Sequence, residues 1–291
     1  MQEAIIKKAI ELLENGTVNR VYGWRKGIFE SDVTPSVFKT AEDIKANFVY
    51  NDFCGANLSK YMVKESDKEG KIAIFLKPCD TYSLNQLTAE YRVKRDNIYA
   101  IGVTCNGMKD VTNPAELEER CKTCKSKKHV TYDELLGEEG EVIDSNRFDM
   151  VEKLENMTAD ERFEFWRNEL SKCIRCNACR NVCPACTCEK CIFDNPESNV
   201  SQKAAVTSFE ENMFHIIRAF HVAGRCTDCG ECSRVCPENI PLHLLNRKFI
   251  KDINELYGEY QAGETVNEKG PLVSYKLDDA EPSIVHERGN N

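Results

Sequence analysis

Apolar positions recur with a helical period at the start of the chain. Ile5, Ile6, Ala9, Ile10 and Leu13 share one face, and Gly16 supplies a stop. From 18 to 30 the pattern turns extended, with Val21-Tyr22-Gly23-Trp24 as a strand, and a short helix is expected from about 56 to 64. The run from Ile72 to Leu76 is wholly apolar and ends in Lys77-Pro78-Cys79, the pattern of a buried strand. Asp80 or Thr81 is expected to cap a helix running through Leu84, Leu87 and Tyr91. A second buried strand, from Ile98 to Val103, leads to Cys105. Two strands that both end in cysteine point to a small parallel or mixed α/β sheet with helices, its ligand crevice at the strands' carboxyl ends.

Past about residue 145 the period becomes helical. Thr158-Ala-Asp-Glu161 is a capping box before a helix with Phe163, Trp166 and Leu170 on one side. Ser208-Phe-Glu-Glu211 is a second, opening a helix whose stripe is Phe209, Met213, Ile216, Ile217 and Phe220. A third starts at Pro241, with Leu242, Leu245, Phe249, Ile253 and Leu256. Each stripe is read as core, which is what apolar helical periodicity serves in packing. After Gly263 the chain is polar, with Pro271 and Pro282, and reads as an arm. The pattern divides the chain into an α/β domain at 1–145, a mostly helical domain at 146–262, and an extended or disordered arm at 263–291.

With 291 residues, 41% of them hydrophobic, the chain has enough apolar surface for two domains. Its net charge of −9 repels phosphate backbones, which argues against nucleic acid or an anionic membrane surface as a partner. No apolar run approaches a bilayer span, and the opening residues lack the apolar core of a signal peptide, so a cytoplasmic location is expected. The count that changes the picture is 16 cysteines. A chain this long is no small disulfide scaffold, and a reducing cytosol would keep its thiols free, which leaves metal or redox chemistry. No Ser–His–Asp or paired-carboxylate arrangement can be argued from spacing.

One internal repeat carries that chemistry. Cys173-Ile-Arg-Cys176-Asn-Ala-Cys179-Arg-Asn-Val-Cys183-Pro184 is matched by Cys226-Thr-Asp-Cys229-Gly-Glu-Cys232-Ser-Arg-Val-Cys236-Pro237. Both are the Cys-x2-Cys-x2-Cys-x3-Cys-Pro run of two-cluster ferredoxins, in which the fourth cysteine serves the other cluster. The expected sets are Cys173, Cys176, Cys179 with Cys236, and Cys226, Cys229, Cys232 with Cys183. Zinc is the alternative for paired Cys-x2-Cys runs, but two complete runs with their prolines favour 4Fe–4S. A second group, Cys79, Cys105 and Cys121-Lys-Thr-Cys124, converges at the sheet's carboxyl edge; it suits a third 4Fe–4S cluster, or two buried thiols beside a zinc half-site. The last four, Cys54, Cys186, Cys188 and Cys191, complete a fourth set of four, read as a 4Fe–4S or zinc site stapling the domains, with Cys54 as a simple buried thiol the other reading. His215 and His221 lie near the second run and read as core or hydrogen-bonding residues. Lys77 and Arg225 stand beside cysteines, where they can donate to cluster sulfur, hold a flavin phosphate, or face solvent. Lys122, Lys125, Lys127 and Lys128 form a basic patch that suits an acidic electron carrier, or a solvated loop.

The Lys-Pro-Cys-Asp strand end, the Gly102-Val-Thr-Cys105-Asn-Gly turn and the following Cys-x2-Cys resemble the beta subunits of hydrogenases and formate dehydrogenases that act on the deazaflavin coenzyme F(420). With the ferredoxin repeat the resemblance runs from about residue 70 to 260. The stretch from His221 to Cys232 is also similar to iron–sulfur subunits of formate dehydrogenase and heterodisulfide-reductase-like complexes. The resemblance implies a 4Fe–4S cluster on the α/β cysteines, with FAD beside it in several members. There is no Gly-x-Gly-x-x-Gly phosphate loop here, since Gly137-Glu-Glu-Gly140 is read as following no strand and lacks the third glycine. The expected function is a multi-cluster electron-transfer subunit of an anaerobic oxidoreductase complex, hetero-oligomeric, between a catalytic or flavin subunit and a carrier such as ferredoxin. The other reading is an FAD-containing oxidoreductase subunit that exchanges hydride with a deazaflavin or nicotinamide carrier and feeds its own clusters.

Overall fold

A computed structural model describes residues 1–141, 145–195, 197, 208–267 and 269–277, without the side chains of 208–212. The first half contains α1 (Gln2–Glu14), β1 (Arg20–Lys26), β2 (Val33–Phe38), α2 (Ala41–Asn47), β3 (Phe48–Val49), α3 (Met62–Glu65), β4 (Ile72–Leu76), α4 (Pro78–Ala89), β5 (Ile98–Val103), α5 (Glu119–Lys122) and β6 (Glu134–Leu136). The sheet order is β2-β1-β4-β5-β6, with β3 also paired to β1. β1, β4, β5 and β6 run parallel, whereas β2 and β3 are antiparallel to β1, so the sheet is mixed.

All five residues of central β4 are fully buried. That explains the unbroken apolar run, since a parallel strand covered on both faces has no solvent side. Phe75 meets Phe48 edge-on at 5.5 Å, and Phe48 tilts against Phe38 at 5.3 Å. Gly23 of β1 lies so close to Phe48 that a Cβ there would stand 2.2 Å from its ring. α1 buries Ile5, Ala9 and Leu12 against this core, while Ile6, Ile10 and Leu13 are only half covered.

Three strands and two helices of this half, β2, β3, β6, α2 and α5, go beyond the sequence pattern. β2 carries Pro35, which an edge strand tolerates because no inner ladder needs its missing N–H. α2 is capped by Thr40, whose hydroxyl accepts the Asp43 amide at 3.2 Å. β6 is three half-buried residues, anchored by Asp133, which accepts the Ala100 amide at 2.7 Å. It ends directly before Gly137, so the Gly137-Glu-Glu-Gly140 stretch does follow a strand, contrary to expectation, though it still lacks the third glycine. α4 also starts earlier than expected. Pro78 takes its first position, where no N–H is required, and Asp80 accepts the Lys77 amide at 3.3 Å from the third.

The second half contains α6 (Asp149–Glu155), α7 (Ala159–Leu170), α8 (Ala178–Asn181), α9 (Ser208–His221), α10 (Glu231–Arg234) and α11 (Leu242–Tyr257). Thr158 and Glu161 form the expected capping box of α7. Phe163 is 63% exposed, however, and only Leu170 of that stripe is buried. The expected stripe of α9 is corrected more sharply. Ile216 and Phe220 are exposed, and the buried face carries Phe214, His215, Arg218 and Ala219. The box at Ser208 and the place of Phe209 lie outside the described side chains, and so do residues 278–291 of the expected arm. Among the described residues no helix is long and apolar enough to cross a membrane.

Candidate metal centres

β4 and β5 are neighbours and parallel, so the segments that follow them emerge at the same sheet edge. Cys79 sits in the first turn of α4 and Cys105 two residues beyond β5. Cys121 lies in α5, and Cys124 in the turn after it. These four thiols line one cavity of about 40 Å³ together with Lys77, Met108 and Arg120. The Met108 amide donates to Cys121 Sγ at 3.3 Å, and Cys124 Sγ donates to the Ser126 carbonyl at 3.2 Å. Burial pushes the thiols of Cys79, Cys105 and Cys121 up, Cys79 well above the usual range. A buried thiolate needs a compensating positive centre, and iron, if bound here, would supply one. Lys77 is fully buried, yet its Nζ is satisfied by the Ala56 carbonyl and Asp80, each at 2.9 Å, and it lies over the Trp24 ring. It braces the strand end on which Cys79 sits.

The ferredoxin repeat is a repeat of backbone as well as sequence. In the first loop Arg175 and Asn177 adopt φ of 57° and 62°; in the second, Asp228 and Gly230 adopt 54° and 67°. These positions correspond, each pair separated by a cysteine, and each loop then enters a one-turn helix, α8 or α10. Alternating right- and left-handed residues turn successive N–H groups inward, forming the concave nests found around anions and iron–sulfur sites. Cys173, Cys176, Cys179 and Cys236 line one cavity of about 20 Å³ with Arg175 and His215. Cys183, from the first run, faces Cys226, Cys229 and Cys232 of the second. Burial raises Cys179 to about 11 and Cys229 to about 12. Among the described residues no three His, Cys, Asp or Glu side chains gather as around a single metal ion; the thiols surround cavities instead.

The two halves meet at these thiols. Asp228 and Cys229 line the cavity of Cys79, Cys105, Cys121 and Cys124. Arg120, beside Cys121, donates to the Cys229 carbonyl at 2.9 Å, to the Gly55 carbonyl at 2.7 Å, and to Glu118 and Glu231 at 2.5 Å each. Burial alone would raise the Glu231 carboxyl, but Arg234 and Arg120 outweigh it and hold it at about 2. Gly230 sits against the Arg120 stem, where a Cβ would be 2.6 Å away. Arg247 of α11 donates to Asp228 at 2.8 Å and to the Thr123 hydroxyl at 2.8 Å, joining one Cys-x2-Cys turn to the other. Sequence reasoning missed Arg120, Glu231, Asp228 and Arg247. The available signal was their position, since Arg120 abuts a cysteine and Asp228 and Glu231 lie inside the second run.

Of the last four cysteines, Cys186 and Cys188 both face Lys60 and Arg225, whereas Cys54 lies apart from them. Cys54 is wholly buried in the α/β core, where its thiol contacts the Val49 carbonyl at 3.7 Å and the Asn51 side chain at 3.5 Å. Burial lifts it to about 11. Among the described residues its hydrogen-bond partners are Val49 and Asn51, not Cys186, Cys188 or Cys191. Cys186 donates its thiol hydrogen toward Cys183, which lowers the latter, and its carbonyl accepts from Lys60. Cys188 is exposed, and Cys191 meets Arg180. The expected staple therefore loses its α/β member to core packing. Arg225 pairs with Glu90, its Nε at 2.7 Å, and Lys125 donates to the Thr227 carbonyl over the Tyr82 ring. Both join the two halves.

Comparison with known proteins bears on the repeat and on the chain as a whole. Residues 169–240 match the family model described as a 4Fe-4S dicluster domain, which spans the whole repeat. The F420-dependent formate dehydrogenase subunit beta of Methanocaldococcus jannaschii is 22% identical, covering 85% of this chain and 88% of that protein. The F420-dependent formate dehydrogenase 1 subunit beta of Methanococcus maripaludis is 23% identical, over 62% of this chain and 70% of its own. The chain is thus a beta-subunit-like iron–sulfur protein, similar along most of its length to F420-dependent formate dehydrogenase subunits beta and carrying a 4Fe-4S dicluster domain.

Proposed function

We propose that the chain is a three-cluster electron-transfer subunit of an anaerobic oxidoreductase complex, between a catalytic or flavin subunit and a carrier such as ferredoxin. The carrying observation is the shared wall at which Cys229 lines the cavity of the α/β cysteines. The names of both relatives favour a formate-oxidising catalytic subunit as partner. The residues that would hold the groups are Cys79, Cys105, Cys121 and Cys124 at one end, Cys226, Cys229, Cys232 and Cys183 in the middle, and Cys173, Cys176, Cys179 and Cys236 at the other. A 4Fe–4S cluster, when bound, accepts and releases single electrons. The chain supplies the order: the outer sets do not share a cavity, and the middle set adjoins both, since Cys179 and Cys232 lie in one buried apolar group. The chain also excludes water, burying Cys179 and Cys232 and half-burying most of the other proposed ligands.

The test is iron and flavin stoichiometry of anaerobically purified protein. About twelve irons per chain, four for each of three clusters, with no flavin, is the expected result. About eight irons would remove the α/β site. One FAD per chain would instead favour the subunit that exchanges hydride with a deazaflavin, the reading the F420-dependent relatives suggest.

A further inference from the structure

Buried arginines in this protein come in two kinds. Arg120 faces Glu118 and Glu231, and Arg247 faces Asp228. Arg218 of α9 is 2% exposed, and no carboxylate faces it among the described residues. Among the described residues none of its three guanidinium nitrogens has an oxygen to donate to. The groups that do face it are thiols: Cys232, Cys183 and Cys186 near the middle site, and Cys179 of the outer one. Three residues earlier, on the same helix face, His215 is also buried with both ring nitrogens free, and it lines the cavity of Cys173, Cys176, Cys179 and Cys236. An arginine is almost never fully buried unless paired, because removing its charge from water costs several kcal/mol. Burial opposes the charge here, and the sulfur ligands are what offset it.

We propose that Arg218 is a positioning residue that sets its positive charge between the two ferredoxin-type clusters and raises the reduction potential of both. This rests on the ligand sets proposed above. A 4Fe–4S core with four thiolates is net negative and gains one further negative charge on reduction. A fixed cation alongside therefore favours the reduced form, and net charge and hydrogen bonds to sulfur are among the levers that set such potentials. Because thiols of both sets face the same guanidinium, the effect falls on both clusters at once. A residue serving only the fold would not move two midpoints in one direction.

The experiment is an EPR-monitored redox titration of the anaerobically purified full-length protein, with iron assayed on the same samples. In Arg218→Gln both ferredoxin-type midpoints should move negative, the reduced-to-oxidised ratio at fixed poise falling by at least about tenfold, which is roughly 59 mV for one electron. Arg218→Lys, which keeps the charge, should restore most of the shift. Iron retained in Arg218→Gln with both midpoints unchanged, or with only one moved, overturns the inference. If Arg218→Gln loses iron, retention in Arg218→Lys supports a requirement for charge, whereas loss in both assigns the residue to the fold and overturns it. Wild-type protein lacking the two ferredoxin-type signals would instead sink the ligand sets themselves.

Discussion

The α/β half and the ferredoxin half bury different things. Around β4 the interior is aromatic and aliphatic, with Trp24, Phe38, Ile74, Phe75 and Leu76 all fully enclosed. Among its described residues the helical half has two small apolar groups, one of them built partly from Cys179 and Cys232, and its other buried residues include His215, Arg218, Asp228, Glu231, His243, Asn246 and Arg247. The first half is held by transfer of apolar surface from water, about 1.5–3 kcal/mol for each large side chain. The second is held by charges arranged around thiols, so its stability is tied to what the thiols bind. A sheet offers two broad faces to cover; two short cysteine loops offer almost none.

The largest test of that contrast is iron removal. Chelation under reducing conditions should abolish amide protection in α7, α9 and α11 while β4 and β5 keep theirs, as read by hydrogen exchange. Equal loss in both halves would erase the distinction. Next, Phe75→Ala should cost about 3–5 kcal/mol by cavity formation, seen as earlier denaturant unfolding of the sheet with iron content unchanged. Glu231→Gln should cost a similar ~3–5 kcal/mol by leaving Arg234 uncompensated and Arg120 with Glu118 alone, and should loosen the junction between the halves.

The pH dependence follows from the same carboxylate. Glu231 is depressed to about 2 in the folded state, against about 4.3 unfolded. Its contribution, on the order of 3 kcal/mol, is complete above the unfolded value and is lost as pH falls from about 5 toward 2. Wild-type protein should lose more stability than Glu231→Gln over that window in acid titrations followed by tryptophan fluorescence. Gly230→Ala comes next, at about 1–3 kcal/mol, because the position combines φ of 67° with contact to Arg120. The smallest expected effect is Cys54→Ala, with iron content unchanged and a modest stability loss, since that thiol belongs to the core. Loss of iron there would restore the fourth metal site.

The same contrast governs what could be read from sequence. β4 and β5 were legible because strands covered on both faces spell unbroken apolar runs, and the repeat was legible because its cysteine spacing is chemically constrained. β2 and β3 were not: Thr34-Pro35-Ser36 carries no alternation, and a two-residue strand carries no period. The misread face of α9 is the most instructive failure. Periodicity assumes that the buried side is apolar, whereas this helix turns His215 and Arg218 inward and leaves Ile216 and Phe220 outside. Arg120 was invisible for another reason, since its partners Gly55, Cys229 and Glu231 are brought to it only by the approach of distant segments.

Arg247 grips Asp228, between Cys226 and Cys229, and Thr123, between Cys121 and Cys124. Tunnelling rates decay exponentially with separation, so the mean rate across a loose joint is dominated by its rare close approaches. One guanidinium bonded to both turns removes that spread. If the proposed clusters exchange electrons across this junction, the shared guanidinium would narrow the spread of their separations, and control over the flow would fall to the two ends of the proposed relay.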